Sequence, residues 1–174
     1  VYALGELADV ESHQPVTPYG APSGPIRVGT YAGKRVAFLA RHGEGHSLPP
    51  HKINYRANLA ALKAIGATRV LAMNTVGGIT AHCGPRVLAC PDQLIDYTWG
   101  RISTFCEEPG TEVLHVDFGD PYTPSLRAEV IAAAKRANRV LQVGQVERFN
   151  PALLAARPFV RSPKFIEGHR LAAF

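Results

Sequence analysis

Nothing in the sequence is apolar for long enough to cross a bilayer, since no run approaches the ~20 residues a spanning helix needs. No basic segment followed by an apolar stretch opens the chain, so no secretory signal is expected. Cysteine is scarce. Cys83, Cys90 and Cys106 cannot all pair with each other, and their spacing makes no disulfide framework, so a reducing cytoplasm is the expected compartment. There is no CxxC, and neither His42, His46 and His51 nor His82, Cys83 and Cys90 have the spacing of a closed zinc site. No metal is therefore expected. Cys-His nucleophilic catalysis is open in principle, but no residue marks one of the three cysteines as activated, and no catalytic residue is assigned.

What is present is the composition of a globular chain. Of 174 residues, 46% are hydrophobic and 19% charged, enough for one domain with a core. The formal charge of +5 is uneven. Residues 1–137 carry 13 Lys/Arg against 12 Asp/Glu, and residues 138–174 carry 6 against 2. The tail's cations are single arginines and a lysine among Pro, Phe and Ala. A nucleic-acid surface needs them clustered on one face, so no such partner is expected, and no membrane partner either.

Pattern along the chain predicts an α/β domain with a mixed sheet flanked by helices. Val1–Gln14 is weakly patterned. Pro15–Pro25 holds four prolines and two glycines and reads as a connector. Ile26–Tyr31 and Arg35–Leu39 flank Ala32-Gly33 as a β-hairpin. Arg41–Pro50 is a loop. Leu59, Leu62 and Ile65 fall at helical steps after Asn54, with Gly66 as the stop. Arg69–Met73, Val87–Cys90, Gln93–Tyr97 and Arg139–Val143 are strand-like, and Thr123-Pro124 opens a helix to about Ala137. The predicted order is β-β-α-β-β-β-α-β.

Two loops that follow strands carry chemistry. Ala40-Arg41-His42-Gly43 puts a guanidinium fork beside an imidazole, a pair suited to phosphate oxygens; an ordinary solvated strand end is the plainer alternative. Asn74-Thr75-Val76-Gly77-Gly78 offers successive N–H groups as an anion nest with two side-chain donors beside them. The plainer alternative there is a tight turn needing positive φ. No Gly-Lys-Ser/Thr follows, and the third glycine of a dinucleotide fingerprint is missing.

Taken together, the run Thr17-Pro18-Tyr19-Gly20-Ala21-Pro22-Ser23, then VAFLARHGEGHSLPPHKINYRANLAALKAIGA, VLAMNTVGGI, PDQLIDYT and HVDFGDPY, resembles the methylthioadenosine and methylthioinosine phosphorylases of the trimeric purine nucleoside phosphorylase group. The resemblance covers about residues 2–137 and implies a nucleoside phosphorylase-like domain there. It implies phosphorolysis of a purine methylthionucleoside to free purine and a sugar 1-phosphate. Inorganic phosphate is then the co-substrate, no cofactor is needed, and the assembly is a homo-trimer. It assigns phosphate contacts to Arg41, His42, Thr75 and Val76. It lays Asn74, Thr75, Val76 and Gly77 along the nucleoside, and sends His115 across a subunit boundary to the neighbour's 5′ substituent. Tyr55, Arg56 and Asn58 belong to the family's NYRAN helix start and are expected to be structural.

The sequence departs from that pattern in three places. Tyr2-Ala3-Leu4 runs straight into Gly5-Glu6-Leu7 where the family has a Gly-Gly-Thr-Gly phosphate loop. No QGPR segment occurs, and the later phosphate, sugar and purine contacts have no match. From about residue 138, RVLQVGQVERFNPALLAARPF resembles the Gfo/Idh/MocA oxidoreductases, without their nicotinamide fingerprint or catalytic lysine segment. The chain thus reads as a mosaic of a partial phosphorylase-like domain, 1–137, and an oxidoreductase-like segment, 138–174. Impaired phosphorolysis is the leading expectation. An inactive remnant that binds phosphate or nucleoside, and a nicotinamide oxidoreductase fragment, remain as alternatives.

Overall fold

In a computed structural model the described residues are 7–85, 87–107 and 109–137, with the backbone of Leu141–Gly144. They divide into two compact units, Val1–Met73 with Arg101–Glu112, and Asn74–Gly100 with Val113–Phe174. Among the described residues no helix is long and apolar enough to cross a membrane.

The first unit is built on an antiparallel sheet in the order β1-β2-β3. β2 (Ile26–Tyr31) and β3 (Lys34–Leu39) form the expected hairpin, in register from Ile26↔Leu39 to Tyr31↔Lys34. Its turn residues Ala32 and Gly33 both have positive φ, 47° and 74°, the twist-matched geometry of a two-residue hairpin. β1 (Ala8–His13) pairs with β2 across a bulge between Ala8 and Glu11. That strand lies where the sequence is weakly patterned. Its burial explains why: five of its six residues are exposed, so no apolar alternation marks it.

Helix α1 (Tyr55–Ala64) covers the sheet. Asn54 starts it by accepting the Ala57 N–H at 3.0 Å. Gly66, at φ 87°, ends it, with Gly66 N–H donating to Lys63 O and Ala67 N–H to Leu62 O, both at 3.0 Å. Ile26, Val28 and Ala61 are the buried centre, with Ala37, Leu39, Leu62 and Ile65 against them. Ala57 and Ala61, four residues apart on one face, are fully buried, and their small side chains let the helix approach closely. Asn58, on the same buried side, accepts the Ser23 N–H at 2.7 Å and donates to Ser23 Oγ at 3.0 Å.

In the second unit β4 (Leu88–Pro91) and β5 (Leu141–Gly144) pair in parallel, and α2 (Pro124–Arg136) lies between them in sequence, as parallel pairing requires. Pro124 takes the favoured first helical position. Arg127 ties α2 to the end of β4, donating through Nε to Pro91 O at 3.0 Å, with Asp92 Oδ2 4.0 Å from its Nη2. Burial, and then the neighbouring Cys90, push the Tyr122 phenol above its usual value.

Arg69–Met73 and Gln93–Tyr97, both expected as strands, are irregular. Their apolar residues are strand-like, but neither segment joins a hydrogen-bonded ladder among the described residues, and it is the ladder that makes an apolar pattern a strand. The expected oxidoreductase-like segment, 138–174, lies outside the described residues apart from the backbone of Leu141–Gly144.

Asn58→Ala is expected to destabilise the protein by about 1–3 kcal/mol, because it strips the Ser23 N–H of its acceptor in a part-buried place. Urea denaturation checks this against Lys63→Ala on the exposed side of the same helix, for which a change within about 0.5 kcal/mol is expected.

Candidate functional site

The loop after β3 is closed by its own backbone. Gly43 N–H donates to Ala40 O at 2.8 Å. Gly43 has φ 74°, a conformation that favours glycine, and a Cβ there would stand 2.6 Å from Ser47 Oγ, so a side chain would also have to displace that hydroxyl. Leu48 N–H donates to His42 O at 2.8 Å, and His42 Nδ1 donates in return to Leu48 O at 2.9 Å. A carbonyl can only accept, so this bond fixes the proton on Nδ1 and leaves Nε2 as the ring's other polar atom. The His42 and His46 rings stack with centroids 4.7 Å apart and planes 9° from parallel.

Arg41 is half-buried and donates through Nη1 to Met73 O at 3.0 Å. One donor of its fork is thereby engaged, and the planar head is held for use of the rest. Its acceptor is the carbonyl immediately before Asn74.

The NYRAN segment fastens other loops of the first unit around this strand end. Asn54 Nδ2 donates to Tyr19 O at 2.7 Å. Thr17 Oγ1 donates to Gly20 O at 2.6 Å and accepts the Tyr19 N–H at 3.2 Å, shaping the Pro/Gly-rich connector. The Arg56 guanidinium lies 5.2 Å from the Tyr19 ring centroid, pairs with Glu107 at 2.9 Å and reaches Thr104 O at 3.3 Å. Tyr19 meets Phe105 edge to face at 5.1 Å. Arg101 contacts the Tyr55 hydroxyl at 3.4 Å. The structural role expected of Tyr55, Arg56 and Asn58 is what these contacts describe.

The remaining candidates stand in the second unit. Asn74, Thr75, Val76 and Gly77 are exposed and irregular. Neither Gly77 nor Gly78 has positive φ, so the tight-turn alternative does not explain them. Gly78 has another reason: a Cβ there would collide with the carbonyl of Cys83, so the chain itself makes the close approach. Gly77 has open space beside it. His115 is exposed on the irregular stretch leading to Phe118. The structure thus brings Arg41 and His42 together on one closed loop of the first unit, while Asn74–Gly77 and His115 belong to the second. Among the described residues no group of three or more His, Cys, Asp or Glu is placed to hold a metal ion.

Sequence reasoning missed the two carbonyls, Leu48 O and Met73 O, that orient His42 and Arg41. Every residue carries a carbonyl, so no residue type could flag them. It also missed the Tyr19–Phe105–Arg56 clamp, whose one visible signal was an aromatic inside a Pro/Gly-rich connector.

Comparison with known proteins agrees with the fold. The Phosphorylase superfamily matches residues 3–146. A probable S-methyl-5′-thioinosine phosphorylase of Xanthomonas campestris is 74% identical over 144 residues, 83% of this chain and 58% of the relative. A purine nucleoside phosphorylase of Streptomyces coelicolor is 49% identical over 135 residues, 74% of this chain and 48% of the relative. Among solved structures, a methylthioadenosine phosphorylase from an antarctic soil metagenomic library superposes with TM-score 0.74 at 38% identity, over 82% of this chain and 49% of that one. The Schistosoma mansoni methylthioadenosine phosphorylase in complex with adenine gives TM-score 0.70 at 36% identity, over 74% and 47% of the two chains. The chain therefore spans about half to three fifths of the length of the relatives it matches. Over residues 3–146 it belongs to the phosphorylase superfamily, with that family's mixed α/β fold, and is similar there to methylthioinosine, methylthioadenosine and purine nucleoside phosphorylases.

Proposed function

We propose that this chain binds inorganic phosphate and a purine methylthionucleoside and that its chemistry is phosphorolysis, greatly slowed in the chain as it stands. The observation that carries the reading is the Arg41–His42 loop: a guanidinium and an imidazole, each fixed by a backbone carbonyl, side by side at the end of a strand. A phosphate oxygen attacks the anomeric carbon, the bond from that carbon to the purine nitrogen breaks, and the purine leaves with the bonding pair and takes up a proton. The transition state has oxocarbenium character, as in glycoside cleavage. The chain need supply no covalent nucleophile. Arg41 and His42 of the first unit hold phosphate oxygens; the phosphate contacts of Thr75 and Val76, and the place of Asn74, Thr75, Val76 and Gly77 along the nucleoside, rest on the family resemblance alone. The relatives' names support the substrate class, methylthioinosine foremost, since the Xanthomonas campestris and Xylella fastidiosa proteins carry it.

Three finer readings go with this one. The active assembly is a homo-trimer of cytoplasmic chains in which His115 reaches the neighbour's 5′ substituent. Residues 138–174 keep their oxidoreductase-like reading on the strength of RVLQVGQVERFNPALLAARPF alone, with no dehydrogenase chemistry attached; the family match itself runs on to residue 146. Phosphorolysis is slowed because the Gly-Gly-Thr-Gly loop and the purine-contacting segments have no counterpart in this sequence.

The decisive assay measures free base released from methylthioinosine and methylthioadenosine with and without phosphate. Phosphate-dependent release at about 100-fold or more below an intact family member is expected, because the loss of even one transition-state donor costs that much. Phosphate-independent release, or none with no phosphate binding, would remove the reading.

Arg41→Ala should weaken phosphate binding by about tenfold to a hundredfold, the worth of a charge-assisted hydrogen bond. Arg127 looks like a surface control in the sequence but anchors α2 to β4, so the proper control is the exposed Arg35→Ala. Isothermal titration with phosphate decides, and equal losses in both variants count against Arg41.

Light scattering tests the assembly. A trimer is expected, and His115→Ala should then raise KM for the methylthionucleoside more than for phosphate. A clean monomer would remove the cross-subunit role of His115.

A further inference from the structure

The loop between β3 and α1 holds one conformation that its surroundings do not explain. His46 has φ 62°, in the left-handed region that glycine or asparagine tolerates best. Gly45 before it has φ 66° and ψ 15°, so two left-handed residues follow each other in the short turn Glu44–His46. Gly45 meets that demand as glycine does, with open space beside it. His46 does not. It is exposed, so burial in a core gives no reason for a ring there. The turn is nonetheless held on both sides. Arg27 Nη2 pairs with Glu44 at 2.9 Å, and the Leu48 N–H donates to His42 O at 2.8 Å. A strained residue that persists between such anchors points to a side chain required in one place.

That place is the face of His42. The two rings stack with centroids 4.7 Å apart and planes 9° from parallel. His42 also donates through Nδ1 to Leu48 O at 2.9 Å. One hydrogen bond fixes a point and leaves an axis: the ring can still tilt about its own N–H direction, and Nε2 on the far side swings with it. A flat partner laid on one face removes that freedom. Hydrogen bond and stack together define the direction of Nε2, and neither does so alone.

We propose that His46 is a positioning residue of the oxyanion site: by stacking on His42 it holds that imidazole's plane, so that Nε2 stays aimed at the phosphate that Arg41 also binds. The proposal rests on the reading of Arg41 and His42 as phosphate contacts. What His46 contributes is its plane, not a contact of its own with the anion. It acts on phosphate affinity through His42 and adds nothing to the stability of the fold, since a left-handed residue other than glycine is a cost to it.

Two substitutions in the full chain separate plane from contact and from fold. His46→Gly removes the ring and suits the backbone. His46→Phe keeps a flat ring and removes the imidazole nitrogens. Expected of His46→Gly is affinity for inorganic phosphate about tenfold weaker by isothermal titration, the effect of a misplaced contact, with a urea midpoint equal to the parent's or higher. His46→Phe should recover most of the lost affinity. The ring itself is read without phosphate, by magnetic resonance of chain labelled at the histidine ring nitrogens and held where imidazole is neutral. The parent's His42 should show a proton held on Nδ1, and His46→Gly a ring averaged between its two tautomers, with His42→Gln assigning the signal. The proposal is overturned by a His46→Gly variant that binds phosphate as the parent does or keeps the His42 tautomer fixed. It is overturned equally if His46→Phe binds as weakly as His46→Gly, which would give His46 its own contact with the anion. A matching fall in the urea midpoint of His46→Gly would make the residue merely structural and also sinks the idea. A parent that binds no phosphate overturns the phosphate reading itself, and the tautomer measurement then still decides whether His46 holds the ring.

Discussion

A backbone N–H or C=O taken out of water must find a partner; a helix finds most of them within itself, but a strand must find them in a neighbouring strand. The described residues of the two units differ in how much strand pairing they show. In the first, β2 is paired on both sides, α1 is capped at both ends, and the buried centre of Ile26, Val28 and Ala61 forms where the sheet and helix close on each other. In the second, the described ladder is the four-residue pairing of β4 with β5, and Ala134 is its one buried apolar residue among those described. Burial follows pairing, because an apolar face can be covered only once the backbone behind it is satisfied.

That constraint also decides what was legible beforehand. The hairpin, α1 and α2 are specified by nearby residues: Ala32-Gly33 at the turn, Asn54 and Gly66 at the ends of one helix, Thr123-Pro124 at the start of the other. Each reads correctly from the sequence because the determinants lie within a few positions of the element. Arg69–Met73 and Gln93–Tyr97 have comparable apolar content, but a strand is a relation between two segments, and one of the two carries no information about the other. β1 shows the converse. Its exposed Asp9, Glu11 and Ser12 give no strand signal, yet the free edge of β2 makes a strand of them.

The site divides along the same line. Arg41 and His42 are visible as residue types suited to an oxyanion, at a strand end, where open α/β folds usually place ligands. What holds them is invisible in residue types, since the acceptors are carbonyls of Leu48 and Met73. The NYRAN residues contribute at one remove. Asn54 and Asn58 fasten the 17–23 connector to α1, and Arg56 fastens the 104–107 stretch through Tyr19 and Glu107, so the helix that supports β3 also fixes the loops of its own unit.

The bond from His42 Nδ1 to the Leu48 carbonyl bears on which oxyanions the ring can welcome. With one proton committed to the carbonyl, the ring in its neutral form offers at Nε2 only a lone pair. Hydrogen phosphate still carries a hydroxyl that can donate to it. Sulfate at neutral pH carries none, and its oxygens would meet that lone pair with mutual repulsion. A single main-chain contact can in this way make a loop tell apart two tetrahedral dianions of nearly equal size.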